Sequence, residues 1–203
     1  MSAAGLILAA GESRRMGSPK ALLSYHGQTF IDTLIGLFAA RCESVIVVLG
    51  AGAEQIRSRA ARNATFVVNA DYERGMTTSL QCGLRAVPPA ADGVLFTLVD
   101  HPAVAASTVD TLLALPRPLL RVPRYGARRG HPIWFSRELI AEFLAIPIGG
   151  AANQVVHSHR GETQFLDVDD PGIVADIDDP EAYRQLTGTG TPEQSRDRKG
   201  ADL

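Results

Sequence analysis

Cysteine is almost missing from this chain. The two present, Cys42 and Cys82, sit inside apolar helical patterns without CxxC spacing, which argues for reduced structural thiols and against a disulfide framework or a zinc site. Charge of one sign is missing too. Twenty Lys and Arg stand against 22 Asp and Glu, a formal net charge of −2, so neither a nucleic acid nor an anionic membrane surface is expected as the main partner. No apolar run reaches the roughly 18 residues of a membrane span, and no basic leader precedes the first apolar segment, so the expected location is cytoplasmic. There is no internal repeat. His157 and His159 form an HxH pair, but no further His or Cys cluster could complete a zinc site. The 203 residues suit one domain that buries roughly 70% of its unfolded surface.

What is present is concentrated at the start. A short apolar run from Gly5 breaks into a turn that holds Gly11, Ser13 and Gly17 and carries Arg14, Arg15 and Lys20 against a single acid, Glu12. This reads as a buried strand feeding an anion-binding loop. Glycines let backbone N–H groups approach phosphate oxygens, and the cationic side chains neutralise more charge than one helix N-terminus could. A polyphosphate is the ligand this composition suits. Two other phosphate loops fail on their spacing. Lys20 is followed by Ala21, so the hydroxyl of a Walker A loop is absent. Gly50-Ala51-Gly52 imitates a dinucleotide fingerprint, but Gln55 stands where a third glycine belongs, which leaves a strand-to-helix turn.

Along the chain, apolar periodicity predicts a helix around Phe30, Leu34, Leu37 and Phe38 behind an N-cap at Thr29, and a β-branched strand at Val45–Leu49. A helix over 53–62, a strand over 64–69, a helix around Met76, Leu80, Leu84 and Val87 and a strand over 93–99 follow. The order is βαβαβαβ. Beyond it, 107–115 reads as helical, 119–124 as extended, and the basic turn 125–130 as a hairpin leading into 131–135. Ser136 is expected to cap a helix through Leu144, 151–157 to form another, 164–168 to be a last strand, and Asp179 or Pro180 to begin a terminal helix. Residues 188–203 offer one large apolar side chain, Leu203, and are expected to be a disordered tail. The architecture implied is an α/β fold: a three-layer α/β/α sandwich around a Rossmann-like, mostly parallel sheet with one antiparallel addition. Ligands of such sheets lie beyond the carboxyl ends of the strands. That rule gathers the 11–20 loop, Asn69 and Asp100 on one edge.

Asp100 ends an apolar strand and is followed by His101-Pro102, which prevents the strand from continuing. With the phosphate loop on the same edge, its carboxylate reads as a metal ligand, and Mg²⁺ takes one or two carboxylates while keeping other positions for phosphate oxygens and water. Mn²⁺ is an alternative.

The blocks LAAGESRRMGSPK at 8–20, NADYERGMTTSL at 69–80, LVDHP at 98–102, GHP at 130–132 and DIDDPEAY at 176–183 resemble, in order, those of the MobA-like nucleotidyltransferases, which attach CMP or GMP to molybdopterin. The resemblance runs from residue 4 to about 187 and implies the nucleotide-diphospho-sugar transferase type of the fold, with 1–187 as the nucleotidyltransferase domain. It implies transfer of CMP from CTP to the phosphate of molybdopterin or molybdenum cofactor with release of pyrophosphate, Arg15 and Lys20 on the leaving group, and a molybdenum hydroxylase as receiver of the product. It also implies that Leu8, Ala9, Ala10, Gly11, Ser13, Asn69, Gly75 and Ser79 hold the nucleotide, that Gly130 and His131 face the acceptor, and that Asp178 joins Asp100 at the metal. Asp176 is the alternative to Asp178, since strand alternation puts both on one face. Two departures stand out. Residues 148–154 lack the Asp and Arg of the relatives' GDRGAR-like block, and Tyr72 replaces a common Trp. Alternatives left open are CTP- or GTP-dependent transfer to another small phosphate, such as a sugar or alcohol phosphate, and a non-catalytic, nucleotide-gated cofactor carrier. Ala10, where guanylyl enzymes carry glycine, implies CTP.

Overall fold

A computed structural model describes residues 2–60 and 63–188. Ten strands occur: β1 (Ala3–Ala9), β2 (Ser24–Tyr25), β3 (Gln28–Thr29), β4 (Ser44–Leu49), β5 (Thr65–Val68), β6 (Gly93–Leu98), β7 (Leu120–Tyr125), β8 (Arg128–Arg129), β9 (Ile133–Ser136) and β10 (Thr163–Asp167). The main sheet runs β10-β7-β9-β6-β1-β4-β5, with β8 paired to β7. Strand β9 is antiparallel to both β6 and β7, while β10 pairs with β7 in parallel. The expected antiparallel addition is therefore β9, with the β7–β8 hairpin built on the basic turn.

Among the described residues seven α-helices cover the faces: α1 (Phe30–Ala39), α2 (Ala53–Arg59), α3 (Met76–Arg85), α4 (Ala106–Leu113), α5 (Ile140–Ala145), α6 (Asn153–Ser158) and α7 (Pro180–Thr187). Thr29 caps α1 by accepting from the Asp32 N–H, and Asp179 caps α7 by accepting from Glu181 and Ala182. Alternation along the strands divides the core in two. Ile7, Val47 and Leu95 pack beneath Phe30, Leu34 and Phe38 of α1, whereas Leu6, Leu8 and Val48 face Leu80 and Leu84 of α3. The result is three layers, as the sequence implies. Cys42 belongs to the first cluster, where burial pushes its thiol up to about 12, so it stays protonated.

Arg121 is a buried cation inside β7. Its guanidinium donates to the carbonyls of Thr111, Leu112, Ala114 and Pro116 and to Gln164 Oε1, so a buried cation closes the carboxyl end of α4 and ties it to β7 and β10.

Several expected ends shift by one or two residues: β5 stops at Val68, before Asn69, and α3 stops at Arg85, before Val87. Residues 61–62 of the expected second helix and 189–203 of the expected tail lie outside the described residues. Among the described residues, no helix is long and apolar enough to cross a membrane.

Candidate active site

Register decides what meets at the sheet edge. Leu8 of β1 pairs with both Val48 of β4 and Leu98 of β6, so the segments leaving these three strands emerge at one level. Together with the turn after β5 and the stretch before α7 they enclose a cleft of about 660 Å³. The Gly50-Ala51-Gly52 turn belongs to this packing. A Cβ on Gly50 would lie 2.6 Å from the Ala10 carbonyl oxygen and 2.7 Å from Tyr72 Cβ, so glycine there serves close approach of backbone to backbone.

The loop between β1 and Lys20 is closed from within. Ser13 adopts a left-handed φ of 52° and Gly17 one of 67°, and Ser13 Oγ accepts the Lys20 backbone N–H at 3.0 Å. Short helical turns at Arg14–Met16 and Lys20–Leu22 complete it. A Cβ on Gly11 would meet nothing within 4 Å, leaving backbone open to the cleft.

Two cations from this loop face three acids. Arg15 Nη2 donates to Asp178 Oδ2 at 2.8 Å, and Lys20 Nζ donates to Asp178 Oδ1 and lies 3.5 Å from Asp100 Oδ2. Arg14 pairs instead with Glu12 at the exposed rim. Asp100, Asp176 and Asp178 each offer one carboxylate oxygen, and these lie within 4.8 Å of one another. Alternation accounts for the pairing of the last two. Ile177 between them is buried in the core and donates its N–H to the Asp100 carbonyl at 3.1 Å, which staples this stretch to the end of β6.

The electrostatics separate the three acids. Burial pushes Asp100 above the ordinary carboxylate range, against the pull of Lys20. Desolvation, then repulsion from Asp100 and Asp178, pushes Asp176 the same way. Asp178 is held below that range, first by its hydrogen bond from Lys20. Asp100 Oδ1 is buried and accepts no hydrogen bond. Three converging carboxylates with an unpartnered buried oxygen form the all-oxygen donor set that suits Mg²⁺ or Mn²⁺.

A second cavity of about 410 Å³ lies next to the cleft, and Met76 lines both. Its walls include Leu80, Phe96, Val122, Phe135 and Phe143, with Arg129, Asn153 and His157 contributing polar groups and no carboxylate. Gly130 and His131 belong to this wall. A Cβ on Gly130 would fall 2.1 Å from the Ile173 carbonyl oxygen, the same oxygen that accepts the His131 N–H at 2.9 Å. Burial pushes His131 down to about 4, so its imidazole is neutral at neutral pH. Its ring sits 5.4 Å from Phe96 and 5.1 Å from His101.

Against known proteins, residues 5–163 match the MobA-like NTP transferase domain. The chain belongs to that family. This MobA-like transferase is 32% identical over 195 residues to a protein named nicotine blue oxidoreductase from Paenarthrobacter nicotinovorans, covering 90% of this chain and 95% of that one. It is 27% identical to the molybdenum cofactor cytidylyltransferase of Escherichia coli, over 88% of this chain and 92% of that enzyme. Among solved structures, Rv0371c of Mycobacterium tuberculosis is 34% identical with a TM-score of 0.83, covering 93% of this chain and 98% of that one. A manganese complex of Rv0371c is 30% identical with a TM-score of 0.78, covering 94% and 100%. The family is one of molybdenum-cofactor-related nucleotidyltransferases, and the chain is a nucleotidyltransferase.

Of the residues singled out in the sequence, Leu8, Ala9, Ala10, Gly11, Ser13, Arg15, Lys20, Ser79, Asp100 and Asp178 line the cleft of this MobA-like transferase. Asn69 and Gly75 do not line it. Asn69 Nδ2 donates to Thr78 and Ser79, both at 2.9 Å, and its Oδ1 accepts the Asp71 N–H, so it is a strut between the end of β5 and α3. Gly75, with φ 113°, is the N-cap residue of α3. Sequence reasoning missed Glu73 and Met76 as lining residues. Met76 shares helical spacing with Leu80 and Leu84, which reads as core, yet as the first residue of α3 it projects past the packed layer and is half exposed.

Proposed function

We propose that this enzyme transfers CMP from CTP to the phosphate of molybdopterin or molybdenum cofactor and releases pyrophosphate. The observation that carries the reading is the convergence of Arg15 and Lys20 with three carboxylates at the carboxyl edge of the sheet. A triphosphate needs both kinds of group: cations for its terminal phosphates, and acids to hold the divalent ion that accompanies it. The manganese complex of a relative and the name of the Escherichia coli relative support the reading.

In this reading Arg15 and Lys20 hold the β- and γ-phosphates. The open backbone at Gly11, the Ser13 turn and the Leu8–Ala10 segment receive the nucleoside, with Ser79 beside it and Asn69 and Gly75 acting through the start of α3. Asp100 holds Mg²⁺ or Mn²⁺ together with Asp178 and Asp176. When bound, the ion supplies charge neutralisation at the α-phosphate. An acceptor phosphate is already anionic at neutral pH, so the protein contributes positioning for in-line attack without a covalent nucleophile or a general base. The pyrophosphate leaves towards Lys20 and Arg15.

For the acceptor, the cavity beyond Met76, with apolar walls and a few polar groups including neutral His131, suits a flat fused ring with polar edges better than a polyhydroxylated sugar, which needs more hydrogen-bond partners than this wall offers. Helix α6 brings Asn153 and His157 into the cavity wall, from the region where the relatives' Asp and Arg are missing. A molybdenum hydroxylase would receive the product. The oxidoreductase name belongs to the Paenarthrobacter relative; in this chain Gly50, in the turn resembling a dinucleotide fingerprint, packs closely against Ala10 and Tyr72.

Ala10 gives the sharpest specificity test. It is buried in the cleft wall, where a methyl group takes space that a purine needs and glycine would leave open. CTP is expected to be preferred to GTP by at least about tenfold, ~1.4 kcal/mol, and Ala10→Gly to narrow that ratio. Competition between the two nucleotides at equal concentration, with Mg²⁺ and molybdopterin present, measures it. Equal or better use of GTP by the wild type refutes the base assignment.

A further inference from the structure

The two cations assigned to the triphosphate already hold an anion. Asp178 takes one hydrogen bond from Arg15 Nη2 at 2.8 Å and another from Lys20 Nζ, one on each carboxylate oxygen. That is the way two neighbouring non-bridging phosphate oxygens would be gripped. The backbone that carries Asp178 is fixed on both sides, by the Ile177 N–H on the Asp100 carbonyl and by Asp179 capping α7. Among the described residues, its carboxylate is held only by these two cations and remains reachable from solvent: the side chain is 40% exposed, while Lys20 is 13% exposed. The same carboxylate also lies within 4.8 Å of those of Asp100 and Asp176. Asp178 thus stands between two alternative sets of partners, the cations of the loop and the other two acids.

We infer that Asp178 is a positioning residue that acts as a built-in counter-ion, holding Arg15 and Lys20 in place until a triphosphate displaces it and frees it for the divalent ion. The inference rests on the proposed assignment of those two cations to the triphosphate. Its physical content is competition followed by exchange. A tethered carboxylate has a high effective concentration at Arg15 and Lys20, so a triphosphate arriving without a divalent ion must compete with it, and the displaced carboxylate gains no new cation in exchange. With the ion present, the displaced carboxylate joins Asp100 and Asp176, and the repulsion among the three acids is relieved as the nucleotide binds. Triphosphate and divalent ion then promote each other's binding through this one side chain, beyond their own chelation in solution, and the coupling is reciprocal.

This makes the effect of removing the carboxylate change sign with the metal. Calorimetry with CTP in EDTA should show Asp178→Asn binding about fivefold more tightly than wild type. In saturating Mg²⁺ the same variant should bind at least about fivefold more weakly. A merely structural role would shift both measurements the same way. Asp178→Ala, which cannot hydrogen-bond to either cation, should give the same pair of signs, and thermal melts establish that both variants fold. Inorganic tripolyphosphate in EDTA, which lacks a base, should reproduce the tightening. Metal-free CTP binding by Asp178→Asn and Asp178→Ala that equals or falls below wild type overturns the exchange. Lys20→Ala distinguishes the two levels. If it keeps wild-type affinity for CTP in EDTA, the assignment of the cations to the triphosphate fails and the exchange falls with it; if it loses affinity while Asp178→Asn gains none, the exchange alone is refuted.

Discussion

Asp100→Asn is expected to lower turnover by about a thousandfold, ~4 kcal/mol of transition-state stabilisation, and to leave the melting temperature within about 3 °C of wild type. The loss follows from charge. Asp100 is the most enclosed of the three acids, and its Oδ1 accepts no hydrogen bond, with His101 Nε2 3.7 Å away, which leaves that oxygen available to a divalent ion. Asparagine keeps the shape and removes the negative charge a divalent ion needs. Stability is spared for a related reason. Burial already opposes ionisation of Asp100, Lys20 retains Asp178, and one repulsion within the acidic group disappears. Steady-state turnover at saturating nucleotide across a Mg²⁺ titration, beside a thermal melt, tests both halves. Turnover within tenfold of wild type would remove Asp100 from the metal site.

Lys20→Ala should weaken CTP binding about a hundredfold and CMP binding by less than about fivefold, because the ammonium is assigned to phosphates that CMP lacks. The side chain is largely enclosed and sits between Asp178 and, at 3.5 Å, Asp100, so its charge is poorly screened. Its removal also leaves the acids without their nearest cation. Arg15→Ala should act in the same direction with a smaller loss, since that side chain is 66% exposed and solvent screens it. Calorimetry with CTP and CMP in Mg²⁺ decides between placements. Equal losses for both nucleotides would move Lys20 away from the leaving group.

The parts of this molecule that the sequence made legible are those governed by local periodicity. The alternation of strands and helices through β6, the caps at Thr29 and Asp179 and the turn at Gly50 follow from residue spacing and backbone rules. The pairing of Asp176 with Asp178 on one face is of the same kind. What periodicity cannot supply is the direction in which a polar side chain spends its hydrogen bonds. Asn69 reads as a ligand because it follows a strand at the right edge, yet its amide is engaged by Thr78, Ser79 and Asp71. His131 reads as facing the acceptor, and it lines the second cavity as an imidazole that burial beside Phe96 and His101 keeps neutral, a state its position in the sequence does not reveal. The second cavity was signalled in sequence only by Gly130 and His131, because α3, β6, β7, β8, β9, α5 and α6 each contribute one or a few of its side chains and no stretch of sequence contains it. Met76 belongs to both kinds: its spacing was visible, but its position at the exposed start of α3 was not.

The central claim is nucleotidyl transfer to a phosphate, and following the α-phosphorus tests it most directly. The enzyme is incubated with CTP labelled at that atom, Mg²⁺ and molybdopterin, and a parallel incubation with NADH and an oxidised quinonoid dye as electron acceptor is monitored for NADH oxidation. The account predicts label in a CMP–molybdopterin product, pyrophosphate released in equal amount and no consumption of NADH. Label that remains in CTP or appears only as free CMP, or reducing activity in place of transfer, would contradict it.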